Sequence, residues 1–207
     1  MALASRYRVV PDLQMPSMSP RTERNRLTAE DWENGALDMI AEEGVGALAV
    51  EALARRLGVT KGSFYWHFRT REALLKAALA RWEARDDHDL QNHIASIEEP
   101  RERLRELFHW VGREARPHRI YAAFLQALDL PPVTQVMSRV AQRRMEFLHQ
   151  AYRQAGMSKV EALHRARLAY AAYVGFLQLS LVPELPRLSQ EQFEAYVEHV
   201  ITTLVPK

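Results

Sequence analysis

A short segment near the first quarter of the chain places cationic, aromatic and small polar side chains on one face of a helix. It begins at Lys61 and reads Lys-Gly-Ser-Phe-Tyr-Trp-His-Phe. On a helical period Phe64 and Phe68 share the inward face, which leaves the other side chains outside. Cations and hydroxyls bind phosphate oxygens, and polar or aromatic groups contact base edges. The exposed residues are then Lys61, Gly62, Ser63, Tyr65, Trp66 and His67, and Arg71 begins the next predicted helix.

Two of these residues are cations at predicted helix N-termini. There the helix dipole disfavours a positive charge by about 0.3–1 kcal/mol. A bound phosphate would reverse the sign of that interaction, so we predict phosphate partners for Lys61 and Arg71.

Two short helices and a tight turn position this segment. Apolar residues recur from Val50 to Leu57 with the i, i+3, i+4, i+7 spacing of a helix that buries one face. Gly58 is suited to end that helix, and the hydroxyl of Thr60 is suited to cap the next one. Helix, glycine turn and second helix with an exposed polar face are typical of the helix-turn-helix, whose second helix enters the DNA major groove.

Charge changes sign along the same region. The net charge is only +2, but residues 28–54 contain seven acids and no Lys or Arg, whereas residues 55–71 contain five bases and no acid. Such runs are usually solvated helix faces. Because the basic run coincides with the predicted recognition helix, we favour contact with nucleic acid.

Composition limits the other classes of function. The chain has 207 residues and no cysteine, which excludes disulfides and thiolate metal sites. Its longest apolar run, residues 170–182, is shorter than a bilayer span, so we expect a cytoplasmic protein with no membrane contact. No phosphate loop, HExxH pair or GxSxG elbow is present, so we predict neither an enzyme nor a cofactor. The run Asp86, Asp87, His88, Asp89 and His93 contains metal-ligand types, but a solvated helix end explains it and no metal site is predicted.

Three segments around this region carry a family resemblance. They are GALDMIAEEG, VEALARRLGVTKGSFYWHF and TREALLKAAL, which cover the stretch from about Trp32 to Leu75 and the four residues after it. This stretch resembles the DNA-binding domain of the tetracycline-repressor-like (TetR) family of bacterial regulators. The resemblance implies a set of DNA-contacting residues: Lys61, Gly62, Ser63, Tyr65 and Trp66 would approach base edges or phosphates, and His67 and Arg71 resemble phosphate-contacting positions. The chain departs from the family at Ala49, where Ser or Thr is usual, and at Arg71, where Lys is more common.

The helical pattern continues to the end of the chain, and we predict an all-α fold of about nine helices. We expect a disordered basic arm over residues 1–27, a helix-turn-helix DNA-binding domain over 28–85, and a helical effector-binding and dimerisation domain over 86–207. The fourth helix is predicted from Thr70 to about Arg85. Pro117 is expected to end a helix that starts at Pro100, before a shorter helix at about residues 119–128.

The middle helices are rich in aromatic and polar side chains. Ligand sites are mostly apolar with a few convergent polar groups, although an ordinary core has the same composition. An inward-facing Arg113 would need an anion as its partner. The predicted effector-binding residues are Phe108, Trp110, Arg113, Tyr121, Phe124, Tyr170 and Tyr173.

The penultimate helix is apolar on two sides. One side, which includes Leu163 and Leu181, is expected to pack within the domain, and the other against a twofold-related subunit. The alternative is a central core helix in a monomer. With two residues of the last helix, the predicted dimer interface is Leu168, Ala172, Gly175, Phe176, Leu179, Tyr196 and Val200.

These predictions combine into one function and one rival. The first is a homodimeric repressor that binds a palindromic double-stranded DNA operator and is released by a small-molecule effector through a shift of the fourth helix. The rival is an all-helical enzyme or ligand-binding module whose helix-turn-helix is purely structural. Specific DNA binding separates the two.

Overall fold

The computed structural model describes residues 27–113, 115–182, 184–185 and 188–205, with side chains except at 112, 113 and 115. Within these residues the chain forms helices and no strand, which confirms the all-α prediction. The predicted arm lies outside the described residues except for Leu27. None of the described helices is both long enough and apolar enough to cross a membrane.

Nine α-helices follow one another along the described chain. They are α1 Ala29–Glu43, α2 Val50–Arg56, α3 Lys61–Phe64, α4 Arg71–Leu90, α5 Pro100–Arg113, α6 Ala115–Leu125, α7 Pro131–Gln154, α8 Lys159–Ser180 and α9 Gln190–Leu204. A 3-10 turn at Val45–Ala47 precedes α2, and a π-helical turn at Gln91–Ala95 follows α4.

Hydroxyl side chains fix several helix starts. Thr28 accepts a hydrogen bond from the backbone N–H of Asp31 at 3.2 Å, and the Asp31 side chain accepts from the backbone of Thr28 in return. Ser189 begins α9 with the same reciprocal arrangement, and Ser158 caps α8. These caps satisfy N–H groups that have no partner inside the helix.

Two helix boundaries differ from the sequence prediction. α4 continues to Leu90, so the predicted domain division at residue 85 falls inside a continuous helix. Pro117 lies in the first turn of α6 rather than after the end of α5. Proline is compatible with that position because the first helical N–H groups have no acceptor within the helix.

Two apolar cores hold the helices together. The first joins α1 to α4 with α6 and the beginning of α7, and the second joins α5, the end of α7, the beginning of α8, and α9. α1 packs on both α4 and α6, whereas α7 packs mainly on α8 and α5. The helix-turn-helix therefore shares its core with helices of the second half of the chain.

α8 is buried along a stripe of small residues. Ala162, Ala166 and Ala169 are buried with Leu177, whereas Leu163 and Leu181 are each 41% exposed. The predicted assignment of these two leucines to the face packed within the domain is therefore wrong. Small side chains let α8 lie close to its neighbours, and the larger leucines remain outside.

Candidate functional site

The segment of residues 61–68, called the recognition segment below, is held in place by its two buried phenylalanines. α3 spans only four residues, and the turn continues until the N–H of Phe68 donates to the carbonyl of Phe64 at 2.9 Å. Phe64 is fully buried, and its ring meets the edge of Trp32 at a centroid distance of 5.4 Å. By contrast, Trp66 is 80% and Tyr65 56% exposed. Burial of the phenylalanines thus fixes which side chains face outward.

The remaining residues of the predicted DNA-contacting set lie on the same surface. Lys61, Gly62 and His67 are exposed, and Ser63 is half-buried. Thr60 precedes α3 but makes no side-chain cap, so that predicted hydrogen bond is wrong. The backbone replaces it, because the N–H of Ser63 donates to the carbonyl of Thr60 at 3.0 Å.

Gly58 and Ala49 set the geometry of the turn and of the helix before it. Gly58 adopts a φ of 69°, which L side chains rarely accept and which redirects the chain into α3. Ala49 precedes α2 without a side-chain cap, as its side chain requires.

Lys61 already has a partner within the protein. Its ammonium pairs with the carboxylate of Glu51 on α2. The hydrogen bond that Lys61 donates to Glu51, together with the negative charge of Glu51, raises the pKa of Lys61. Since both side chains are about half exposed, at 48% and 62%, a phosphate can reach the ammonium if it replaces Glu51.

Arg71 is likewise engaged. Its Nη2 donates to the carbonyl of Val45 at 2.8 Å, and its Nε donates to the carbonyl of Leu48. The guanidinium thus ties the start of α4 to the 3-10 turn before α2. Both predicted cations have protein partners, so their positions alone do not require a phosphate.

Carboxylates of the acidic run pair with cations of the basic run and of α4 instead of forming a separate surface. Arg56 makes a two-nitrogen contact with Glu42, at 2.6 Å for each bond. Arg81 of α4 pairs with Glu30 and Glu33 of α1. The interpretation of the acidic run as a plain solvated face therefore does not describe these contacts.

A cavity opens among α4 to α8. Its unoccupied space is about 860 Å³, counting its mouth. Apolar side chains form most of its wall, and its polar groups come from four helices. The lining residues are Asp86, Leu90, Leu107, Phe108, Trp110, Val111, Pro117, His118, Arg144, Phe147, Leu148, Ala169, Tyr170 and Tyr173.

The structure brings four of the seven predicted effector residues together in this wall, namely Phe108, Trp110, Tyr170 and Tyr173. Tyr121 lies behind it, with its hydroxyl hydrogen-bonded to that of Tyr170. Phe124 does not line the cavity, because it is fully buried against Trp82 at 5.1 Å between centroids. The side chain of Arg113 lies outside the described residues.

Arg144 lines the cavity although it is not among the predicted effector residues. Its guanidinium pairs with Asp86 at 2.5 Å and lies 4.4 Å above the ring of Tyr121. Burial alone would lower the pKa of Arg144, but the charge of Asp86 more than offsets it, so that the pKa is raised. The signal in the sequence is its spacing, since Arg144 continues the stripe formed by Val140 and Leu148 of α7.

His118 connects two walls of the cavity. Its Nε2 faces the carbonyl of Val111, and its Nδ1 lies 2.9 Å from the hydroxyl of Tyr173. Because a carbonyl only accepts, Nε2 carries a proton, and in the neutral form of the ring Nδ1 then accepts from the hydroxyl of Tyr173. Burial raises the pKa of Tyr173, so this hydroxyl stays protonated as a donor.

The acid and histidine run after Arg85 does not converge on one point. Asp86 pairs with Arg144 and Asp87 with Arg143, whereas His93 stacks on Trp110. Among the described residues no group of three potential ligands is placed to hold a metal ion.

The predicted dimer face contains exposed leucines and half-buried neighbours. Leu168 is 56% and Leu179 59% exposed on α8. Phe176 stacks on Tyr196 of α9 at 5.2 Å, which continues the apolar surface onto the last helix. The other members, Ala172, Gly175 and Val200, are half-buried.

Known sequences match the helix-turn-helix region. The family model for bacterial regulatory proteins of the tetR family matches residues 34–78. The tetracycline repressor protein class A from transposon 1721 of Escherichia coli is 52% identical over 42 residues, which make up 20% of this chain and 19% of that repressor. The regulator SrpR of Pseudomonas putida is 38% identical over 47 residues, 23% of this chain and 22% of that protein. These matches span about a fifth of the curated relatives.

Solved structures match over most of the chain. A transcriptional regulator from Rhodococcus sp. Rha1 superposes with a TM-score of 0.71 at 21% identity, covering 86% of this chain and 96% of that one. A regulator from Saccharomonospora viridis in complex with choline has a TM-score of 0.73 at 17% identity and covers 86% and 98%. At such identities the likeness concerns the fold. The helix-turn-helix region, residues 34–78, therefore matches the tetR family of bacterial regulatory proteins, and the rest of the chain shares the fold of these solved regulators.

Proposed function

We propose that the protein is a transcriptional regulator that binds a palindromic DNA operator as a homodimer and is released from it by a small-molecule effector. The observation that carries the proposal is the exposed face of α3 and its turn, where Trp66 is 80% and Tyr65 56% exposed beside Lys61. Large aromatic side chains this exposed have little use in folding, and they suit contact with base edges and phosphates.

Each residue of this face is assigned a role. Lys61, Tyr65, His67 and Arg71 would anchor phosphates, while Ser63 and Trp66 would contact base edges or the thymine methyl. Gly62 would let the DNA backbone approach because it has no side chain; within the protein a Cβ there would meet only the Thr60 hydroxyl, at 3.7 Å. Two such faces would read half-sites about 34 Å apart or a multiple of that distance.

Selection from a random pool of DNA duplexes tests this proposal. The expected product is one sequence with twofold symmetry. Failure to enrich any sequence would favour the rival, an all-helical enzyme or ligand-binding module whose helix-turn-helix is structural.

Lys61 provides a charge-specific prediction. On the selected duplex, Lys61→Ala is expected to make the negative slope of log K against log salt less steep by about one unit, because one phosphate contact is lost. Glu51→Gln is expected to raise operator affinity about twofold to fivefold at low salt. In this variant the Lys61 ammonium does not have to leave a carboxylate before it binds a phosphate.

The control for Glu51→Gln is Glu161→Gln, which removes the same charge from the exposed pair with Arg165 on α8. Fluorescence anisotropy measures all three variants. Equal effects of the two glutamine substitutions would mean that net charge, and not the release of Lys61, explains the change.

Dimerisation is proposed on the exposed apolar surface of α8. Leu168→Glu together with Leu179→Glu would place carboxylates in the proposed interface, where burial without a partner is costly. Sedimentation is expected to show a dimer for the unaltered protein and a monomer for this variant, whose operator affinity falls at least about tenfold. A matched Val160→Glu variant, at a site 64% exposed at the start of α8, is expected to stay dimeric. A monomeric unaltered protein would refute this part of the proposal.

The cavity is proposed as the effector site. α4 supplies Asp86 to its wall and begins at Arg71, next to the recognition segment. A ligand that shifts α4 would therefore change the separation of the two recognition helices. The related regulator from Saccharomonospora viridis was solved with choline bound, which supports a ligand-responsive role for this fold but leaves the ligand of this chain open.

A further inference from the structure

The charged pair in the cavity indicates what kind of ligand it accepts. Arg144 on α7 and Asp86 on α4 are only 22% and 13% exposed, and both line the same cavity. The surrounding wall is apolar and aromatic. A ligand that fits must therefore have an apolar body and one group that interacts with this pair.

A cationic group is disfavoured by the position of Arg144. The guanidinium lies 4.4 Å from the ring centre of Tyr121 and 5.6 Å from that of Tyr173. These two aromatic faces thus already hold a cation. An ammonium placed near them would meet the positive charge of Arg144, and Asp86 is already engaged.

The contact between Arg144 and Asp86 does not use every N–H group of the guanidinium, so an anionic group can bind Arg144. Asp86 accepts from one nitrogen of the guanidinium, Nη2, through one oxygen, and the guanidinium also hydrogen-bonds to the hydroxyl of Tyr173. A two-nitrogen contact of the kind that Arg56 makes with Glu42 uses the planar fork fully. A ligand carboxylate free to orient can form that stronger contact, because the ligand is not constrained by a helix backbone.

We propose that the cavity binds a monocarboxylate with an apolar body, whose carboxylate replaces that of Asp86 on Arg144 and so loosens α4 from α7. The inference rests on the proposed function, since it names the class of effector and the contact through which the effector acts. Nothing in it depends on the operator sequence.

The contacts between α4 and α7 explain how this exchange reaches the DNA-binding face. Glu83 of α4 pairs with Arg139 at 2.6 Å and with Arg143 at 3.0 Å, one turn from the cavity. The pair between Asp86 and Arg144 adds a further ion pair between α4 and α7, and this one faces the cavity. A ligand carboxylate beside it brings two like charges together in a site with little water, and α4 relieves the repulsion by moving away.

The binding test uses three probes of one shape: 4-phenylbutyrate, its primary amide and 4-phenylbutylamine. Calorimetry on the full-length protein is expected to show binding of the acid, binding at least about tenfold weaker for the amide, and none for the amine. Choline serves as a second cationic probe. Binding of the amide, amine or choline as tight as that of the acid overturns the proposal. So does a lack of binding by every acid in a series of aryl and straight-chain carboxylates.

Two variants test the exchange on Arg144. Asp86→Asn is expected to tighten binding of the acid about fivefold or more, since the competing carboxylate is gone, and to lose ligand-driven release of DNA. The double variant Asp86→Asn with Arg144→Gln keeps the site neutral, avoids an unpaired buried acid, and is expected to lose acid binding. Asp87→Asn is the matched control, because it removes the same charge one residue along α4, from a pair with Arg143 at 3.4 Å. An Asp87→Asn effect equal to that of Asp86→Asn overturns the proposal.

Release is measured separately, as the change in operator affinity with the acid present. Linkage requires the operator to weaken acid binding by the same factor. Acid binding without any change in operator affinity overturns the loosening of α4. A protein that binds no DNA would refute the proposed function instead, and calorimetry would still decide the ligand class.

Discussion

Phe64→Ala is expected to lower the free energy of unfolding by about 3–5 kcal/mol, the cost of removing a fully buried aromatic side chain. Phe64 packs on Trp32 at 5.4 Å and on Phe68 at 5.8 Å, and it is the side chain that joins the short α3 to the first core. A helix of four residues has little stability of its own, so its position depends on this contact. Urea denaturation followed by circular dichroism measures the change.

The neighbouring residue supplies the control. Tyr65→Ala removes a ring of similar size that is 56% exposed, and it is expected to cost much less stability than Phe64→Ala. Phe64→Leu, which keeps most of the apolar volume, is expected to fall between the two. Equal losses for Phe64→Ala and Tyr65→Ala would contradict the packing described for α3.

Trp66→Ala is expected to weaken operator binding while leaving the stability of the fold almost unchanged. With 80% of its side chain exposed, Trp66 contributes little to folding, and the free energy of unfolding is expected to change by less than about 0.5 kcal/mol. Operator affinity is expected to fall about 5- to 100-fold, the range for loss of one base contact. Anisotropy titration of the selected duplex measures this change.

Two comparisons make the Trp66 result specific. Val160→Ala alters another exposed apolar residue, 64% exposed on α8, and is expected to leave operator affinity unchanged. Binding of Trp66→Ala to a scrambled duplex is expected to fall much less than binding to the operator, since phosphate contacts remain. Unchanged operator affinity for Trp66→Ala would exclude this side chain from the interface.

The helices and the recognition face could be predicted because their signals are local. Phe64 and Phe68 lie one turn apart, and that spacing alone determines that Trp66 points outward. Thr28 and Ser189 each lie three residues before a side chain that can complete a capping box, Asp31 and Gln192, and both capping boxes form. The boundary near Pro117 failed because proline fits either after a helix or in its first turn, and local sequence does not distinguish these positions.

The partners of charged side chains could not be predicted, because they depend on how distant helices meet. Lys61 and Glu51 are ten residues apart, and Arg71 reaches carbonyls 23 and 26 residues earlier. Arg113 is the inward arginine that the sequence predicts to need an anion. The arginine with described cavity contacts is instead Arg144, 58 residues from its partner Asp86. Its place in the apolar stripe of α7 was the available signal, but the identity of the anion required the tertiary structure.

We propose above all that the face formed by α3 and its turn binds DNA through phosphates and recognises the DNA sequence. The most direct test of this claim is the operator affinity of the unaltered protein over a salt series, beside a scrambled duplex of the same length. With roughly six phosphates contacted, log K is expected to fall with a slope near −5 against log salt. The operator is expected to bind at least about 10³-fold tighter than the scrambled duplex. Equal affinity for both duplexes, or no binding at low salt, would contradict the claim.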